Sequence, residues 1–311
     1  VIRFLRPHPP LMLFSLLMLT LIPVSLAGLI IDDRIVAGSP IWFKPFKFAV
    51  SFALYGVTLA WMLTLTTRLR RTGWWAGTVL AVASAAEMAI VVGQVIRGRA
   101  SHFNVATPFD QLLWRAMAVT IAVVWVMHAL IAVTLLFTRF AERATGLAIR
   151  LGTGITLVGL ALGFMMTTPA PGQNSSGGIM GAHSVGVPDG GPQMPVTGWS
   201  TTGGDLRIPH FIGIHALQLL PLAAMLFRRR ATPQLIWGLA IGYAGLMALL
   251  TWQALRGQPL LRPDLLTALG ALAVLTWTAA VVARALRATP GTTAGTTKTT
   301  ETTETTEEMR A

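Results

Sequence analysis

The chain has 311 residues, of which 53% are hydrophobic and only 12% charged, whereas a soluble globular domain carries roughly 25% charged residues; a water-soluble globule is excluded. Lys and Arg outnumber Asp and Glu by 24 to 12, a formal net charge of +12. These cations stand in short clusters beside apolar runs, as in the cytoplasmic loops of membrane proteins, so nucleic acid is set aside as a partner and the lipid bilayer is expected instead. The absence of cysteine rules out disulfides, thiolate catalysis, iron–sulfur ligation and cysteine zinc sites.

In chain order, Arg3, Arg6 and a Pro-containing segment precede a first apolar run, 11–30, longer than the core of a signal peptide and read as a first span. Further spans are expected over 48–66, 74–96 and 112–137, with Arg68, Arg70 and Arg71 between the second and third. A basic connector with Arg139, Arg143 and Arg150 leads to a fifth span ending near 168 and a Gly- and Pro-rich loop, 169–204. Spans six to eight follow over 206–227, 232–255 and 265–286, each apolar enough to cross a hydrocarbon core about 30 Å thick. A Thr/Glu-rich tail, 288–311, has nothing to bury and is expected to be disordered.

The fold class is therefore all-α, a polytopic protein of eight helices. Arg clusters fall on the side holding both termini, which makes that side cytoplasmic and the loops 31–47, 97–111, 169–204 and 256–264 extracytoplasmic. An Arg-rich composition nearly free of Lys points to a bacterial plasma membrane.

The segment starting Lys47-Phe48 matches the one starting His210-Phe211, and Gln94…Arg97-Gly98 ahead of Asp110 matches Gln253…Arg256-Gly257 ahead of Asp264. The chain reads as two tandem four-helix halves, 1–137 and 138–287, in parallel orientation, with a site expected where they meet.

Polar side chains are costly inside a membrane and mark function more often than elsewhere. Glu87 is the one acidic residue deep within a span, able to relay protons or bind a cation if Arg115 or a histidine lies near. His215 and Gln218 share a helical face just before Pro221. His128 lies about 10 Å from His215 in depth, unsuited to sharing a haem, and reads as a core residue. Gln94 and Asp110 at the rim join the ligand or ion candidates, and His102, His183, Asp205 and His210 could supply a Zn- or Mn-type site. The loop 198–205 could cradle an anion through its amides, although it lacks the spacing of a nucleotide-binding loop. Trp199 and its apolar neighbours should fold the long loop back over the helix ends, burial of the indole alone being worth about 2 kcal/mol.

Lys44-Pro45-Phe46-Lys47-Phe48, Ser101-His102-Phe103-Asn104 and the run from Gly198 to Asp205 together resemble a group of uncharacterised bacterial multi-pass membrane proteins, which implies architecture but no activity. The plan of two four-helix halves is similar to that of haem A synthases, although here spans two and eight have no histidine. No cofactor is required by the sequence. The expected function is transport or handling of a small solute or ion, with a haem- or metal-dependent membrane enzyme and a non-catalytic assembly or signalling partner as alternatives. A reporter fused after Ser175 is expected to read as extracytoplasmic and one fused after Arg230 as cytoplasmic; the reverse result removes the orientation.

Overall fold

The computed structural model describes residues 7–168 and 177–287. The tail and most of the Gly-, Ser- and Pro-rich start of the long loop, both treated above, lie outside the described residues. Among the described residues nine helices follow one another: α1 Pro9–Ile31, α2 Phe43–Thr64, α3 Arg70–Ile96, α4 Pro108–Leu136, α5 Arg143–Leu162 with a 3-10 turn Gly163–Thr167, α6 Arg207–Ile214, α7 Ala216–Leu226, α8 Pro233–Leu255 and α9 Leu265–Arg287. Seven are long and apolar enough to cross a membrane, and the α6–α7 pair, bent by 43°, makes an eighth if it counts as one span. The only strands among the described residues are two-residue pairs in the loops, β1 Ile35–Val36 with β2 Ser39–Pro40 and β3 Ser184–Val185 with β4 Gly204–Asp205.

Helix starts follow local chemistry. His8, Thr107 and Thr232 each precede a proline and accept the N–H of the third residue after them, capping α1, α4 and α8. His8 Nε2 donates to Trp74 O at 2.9 Å, so Nδ1 is the free lone pair that caps Leu11 N and ties α1 to α3. α5 starts at Arg143, earlier than the sequence suggested, because Arg150 need not stay in a connector. Its guanidinium reaches back along the helix to Thr138 O at 2.7 Å and lies over the Phe140 ring.

α1 packs on α2 and α3 on α4, with α2 against α3; further along, α5 packs on α6 and α7, and α8 on both α5 and α9. The two groups meet through α4 with α5 and, more lightly, α2 with α7. His128 locks this seam: fully buried in α4, it donates from Nε2 to Thr153 O of α5 at 3.1 Å and accepts the Tyr55 hydroxyl of α2 on Nδ1 at 2.7 Å. That is the core role expected for it.

The sixth span breaks at His215, one turn before the place where Pro221 alone would loosen it. Leu217 N turns from its helical acceptor to Thr156 Oγ1 at 3.0 Å, the same hydroxyl donates to Ile214 O at 3.1 Å, and Tyr243 donates to Ile212 O at 2.6 Å. α5 can deliver Thr156 here because Gly159 and Gly213 let two backbones touch: a Cβ on Gly159 would lie 2.5 Å from the carbonyl carbon of Gly213. Gly159→Ala should therefore destabilise the protein by about 1–3 kcal/mol, while Gly154→Ala, with nothing within 4 Å of the new methyl group, should be neutral or stabilising. Thermal unfolding of both variants in detergent checks this; equal melting temperatures would refute the close contact.

Candidate functional site

Between the helices, at the loop-rich end, lies a cavity of about 1480 Å³. Its mouth is walled by loop residues including Ser39, His102, His183 and Asp189, and its depth by Tyr55, Val124, Trp125, Ile214 and Gln218, so it reaches near the middle of the helices. Of the residues singled out in the sequence, Glu87, His102, His183, His210, His215 and Gln218 line it, whereas Gln94, Asp110 and Asp205 do not.

Those three are committed elsewhere. Asp110, fully buried at the start of α4, accepts Gln94 Nε2 at 3.0 Å, Arg97 at 2.6 Å and the Thr107 hydroxyl at 2.7 Å, clamping the end of α3 to α4. The end of α8 is built alike, with Gln253 donating to Pro259 O at 2.9 Å and Arg256 paired to Asp264 at 2.8 Å. Asp205 takes both branches of the Arg207 guanidinium and the amides of Ser200 and Arg207. The anion cradled by the 198–205 loop is thus its own aspartate.

Glu87, 1% exposed, accepts the Thr120 hydroxyl at 2.8 Å and faces His102 Nε2 at 3.6 Å. Its histidine neighbour is therefore present, but Arg115, the other expected partner, is exposed and apart from it. His102 is presented by a strained turn: Phe103, itself buried, adopts φ +61° and meets Trp114 edge-on and His183 at a tilt. Asp189 accepts His183 Nδ1 at 2.8 Å and the amides of His183 and Ser184, which orients the ring and leaves Nε2 as its unprotonated nitrogen. His210 donates from Nδ1 to Gly159 O at 2.8 Å, with the same consequence. His215 occupies the break, and Gln218 beside it has its Oε1 buried without a hydrogen bond.

Asp205 is taken up by Arg207 and backbone amides, and among the described residues no three His, Asp or Glu converge as metal ligands would.

The long loop does fold back, from Gly177 onward, but by polar contacts more than by burial of Trp199, which is only half-buried. Met180 N bonds Phe103 O at 2.8 Å, Ala182 N bonds Met166 O at 3.0 Å, and Lys47 Nζ donates to Thr197 O at 2.7 Å. Gln193 spans to Ser39 and Ala37. Gly204 permits the closest approach, since a Cβ there would fall 1.9 Å from Ala254 O. Sequence reasoning overlooked Lys44 and Lys47 as cavity residues; the signal was available in two lysines placed at the start of a span in a chain almost without lysine.

Burial holds the His183 imidazole below its ordinary 6.5 and that of His102 well below it, outweighing the pull of Asp189 on His183. The folded protein thus keeps them neutral where an unfolded loop would bind protons, so their contribution is complete above pH 6.5 and declines as the pH falls below it. Asp189 acts at lower pH with the same sign: its carboxyl, held below the ordinary 3.8 chiefly by His183 against the cost of burial, stabilises above that value and ceases to as the pH drops through its folded pKa. Melting temperature is expected to fall by about 2–4 °C or more between pH 7 and pH 5, and less in His183→Asn, which keeps a donor for Asp189 but cannot titrate. A flat profile, or the same slope in the variant, contradicts this. Compared with protein-family models, with curated proteins and with solved structures, the chain matches none.

Proposed function

We propose that the chain is an integral membrane protein that takes a small solute or ion into this cavity from the side of the long loop, as a transporter does. The observation that carries the reading is a cavity of about 1480 Å³ lined by ionisable side chains at the depth of apolar helices, since ionisable groups at that depth are retained where solute or water must be met. A discontinuous helix with His215 at its break supports it, because unwound helices at mid-membrane commonly border transport sites.

The finer architecture belongs to the same proposal. The chain is read as two tandem halves with both termini cytoplasmic in a bacterial plasma membrane. The like pairing of α1–α4 and α5–α9, and the two Gln–Arg–Gly–Asp helix ends, support the duplication; the Arg clusters support the orientation. A second reading, a membrane enzyme, draws on the His183–Asp189 pair, a carboxylate-oriented imidazole of the kind used in general acid–base catalysis.

The chain has no cysteine, so single variants report access directly. Ser51→Cys should react with a membrane-impermeant thiol reagent added on the long-loop side, and Val124→Cys, deeper in the wall, should react from both sides if the cavity alternates. Protection of Ser51→Cys on the loop side would end the uptake reading. Labelling of both from that side alone would end transport and leave the enzyme.

A further inference from the structure

Among the described residues Lys44 is the cation in the cavity wall that is partly enclosed and has no hydrogen-bonded or ion-paired partner. Arg207 is matched by Asp205, Arg256 by Asp264, and Lys47 donates to Thr197 O at 2.7 Å, whereas Arg99 is exposed at the rim. Among the described residues Lys44 makes no hydrogen bond or ion pair; its nearest recorded neighbour is the Phe48 ring, 5.8 Å from Nζ. The side chain is enclosed by the protein and its remaining accessible surface faces the cavity. It also stands in the first turn of α2, where the helix dipole adds to its positive charge.

The carboxylates of the wall attract it only from a distance. Asp189 is engaged by His183 and two amides and Glu87 by Thr120, and neither reaches Lys44 as a hydrogen bond or ion pair, although Glu87 is the nearer in charge. Two residues before Arg207 stands Asp205, but two residues before Lys44 stands Trp42, whose indole is turned to Asp32 at 2.7 Å. Its Nζ, partly enclosed and making no hydrogen bond among the described residues, is left to donate to an acceptor that enters the cavity. Below Lys44 the wall is mainly apolar, through Phe48, Phe52, Met117, Ile121, Val124 and Phe164, with Tyr55, His215 and Gln218 as its polar members.

We propose that the cavity's ligand is an anionic amphiphile, its carboxylate or phosphate head on Lys44 Nζ and its apolar body extending between the helices toward Val124. The inference rests on the reading that the cavity binds a solute, and it names the chemical class of that solute. Head charge gives orientation and tail length gives affinity, an arrangement common to ligand sites with few polar groups in an apolar wall.

The test uses the full chain purified in a zwitterionic detergent, with quenching of tryptophan fluorescence by brominated ligands, because Trp114 and Trp125 line the cavity. The probes are a brominated fatty acid, a brominated phosphatidic acid and the brominated alcohol of the same chain, with acetate and inorganic phosphate as competitors lacking a tail. Quenching by the two anionic amphiphiles should be strong and should shrink in Trp114→Phe/Trp125→Phe. Lys44→Gln should weaken both by about tenfold or more, as expected for loss of a charged hydrogen bond, leave the alcohol unchanged, and be rescued by Lys44→Arg. Preference between fatty and phosphatidic acid tells a free carboxylate from a lipid headgroup. Equal binding of acid and alcohol, or an equal effect of Lys44→Gln on both, overturns the proposal while leaving solute binding intact. Competition by acetate or phosphate as strong as by the amphiphiles overturns the tail. Quenching that is insensitive to the two tryptophan replacements overturns cavity binding itself.

Discussion

The hydroxyl of Thr156 is the interaction on which the cavity depends. In an apolar medium each unpaired backbone N–H or C=O is expensive, so a span can be interrupted only where something else takes its polar groups. One oxygen here accepts Leu217 N and donates to Ile214 O, while Tyr243 takes Ile212 O from the other side. Without them the sixth span would have to run straight from Arg207 to Leu226. The bend instead separates α6 from α7 and sets His215 at the corner, on the cavity wall.

Polar groups of the membrane region then sort into two kinds. Asp110 with Gln94 and Arg97, Asp205 with Arg207, and His128 with Tyr55 and Thr153 are closed on themselves, and they hold helix ends or the seam between α4 and α5. Buried pairs of this kind stabilise little beyond an apolar substitute, but breaking one leaves an uncompensated group, so they fix register strongly. The others, Lys44, Gln218 Oε1 and the second nitrogens of His183 and His210, are incompletely served by the protein, and all four residues line one cavity. It is this residue of unmet hydrogen-bonding capacity, more than the cavity's size, that underlies the ligand-binding proposal.

Much of the fold was legible because the hydrocarbon thickness imposes a length on every span and proline after Thr or His announces a helix start. The break in the sixth span was half legible: Pro221 signals weakness, but its position depends on Thr156 arriving from α5, which only the Gly159–Gly213 contact permits. Single-sequence reasoning has no access to such a partnership. Of the polar residues that stand out in the sequence, Glu87, His102, His183, His210, His215 and Gln218 line the cavity, whereas Asp205 and Asp110, which look the same in a sequence, are paired with Arg207 and Arg97. Lys44 was overlooked because a lysine at a span end is ordinarily a snorkelling residue at the interface, and only the fold shows that it lines the cavity.

On the tandem reading, Lys44 and Arg207 occupy equivalent places at the starts of the second and sixth spans, as do Phe52 and His215 within them. The two spans face the cavity together, so any difference between them polarises it. In the sixth span Asp205 precedes the cation and neutralises it, and the same carboxylate gathers the 198–205 loop. In the second span Trp42 stands there instead and the cation stays open. The start of the sixth span thus anchors the covering loop, while the start of the second leaves its cation without an ion pair. Symmetry of the backbone with asymmetry of the partners is what a binding site between two similar halves requires: like helices give a wall that fits together, and unlike neighbours give that wall a direction.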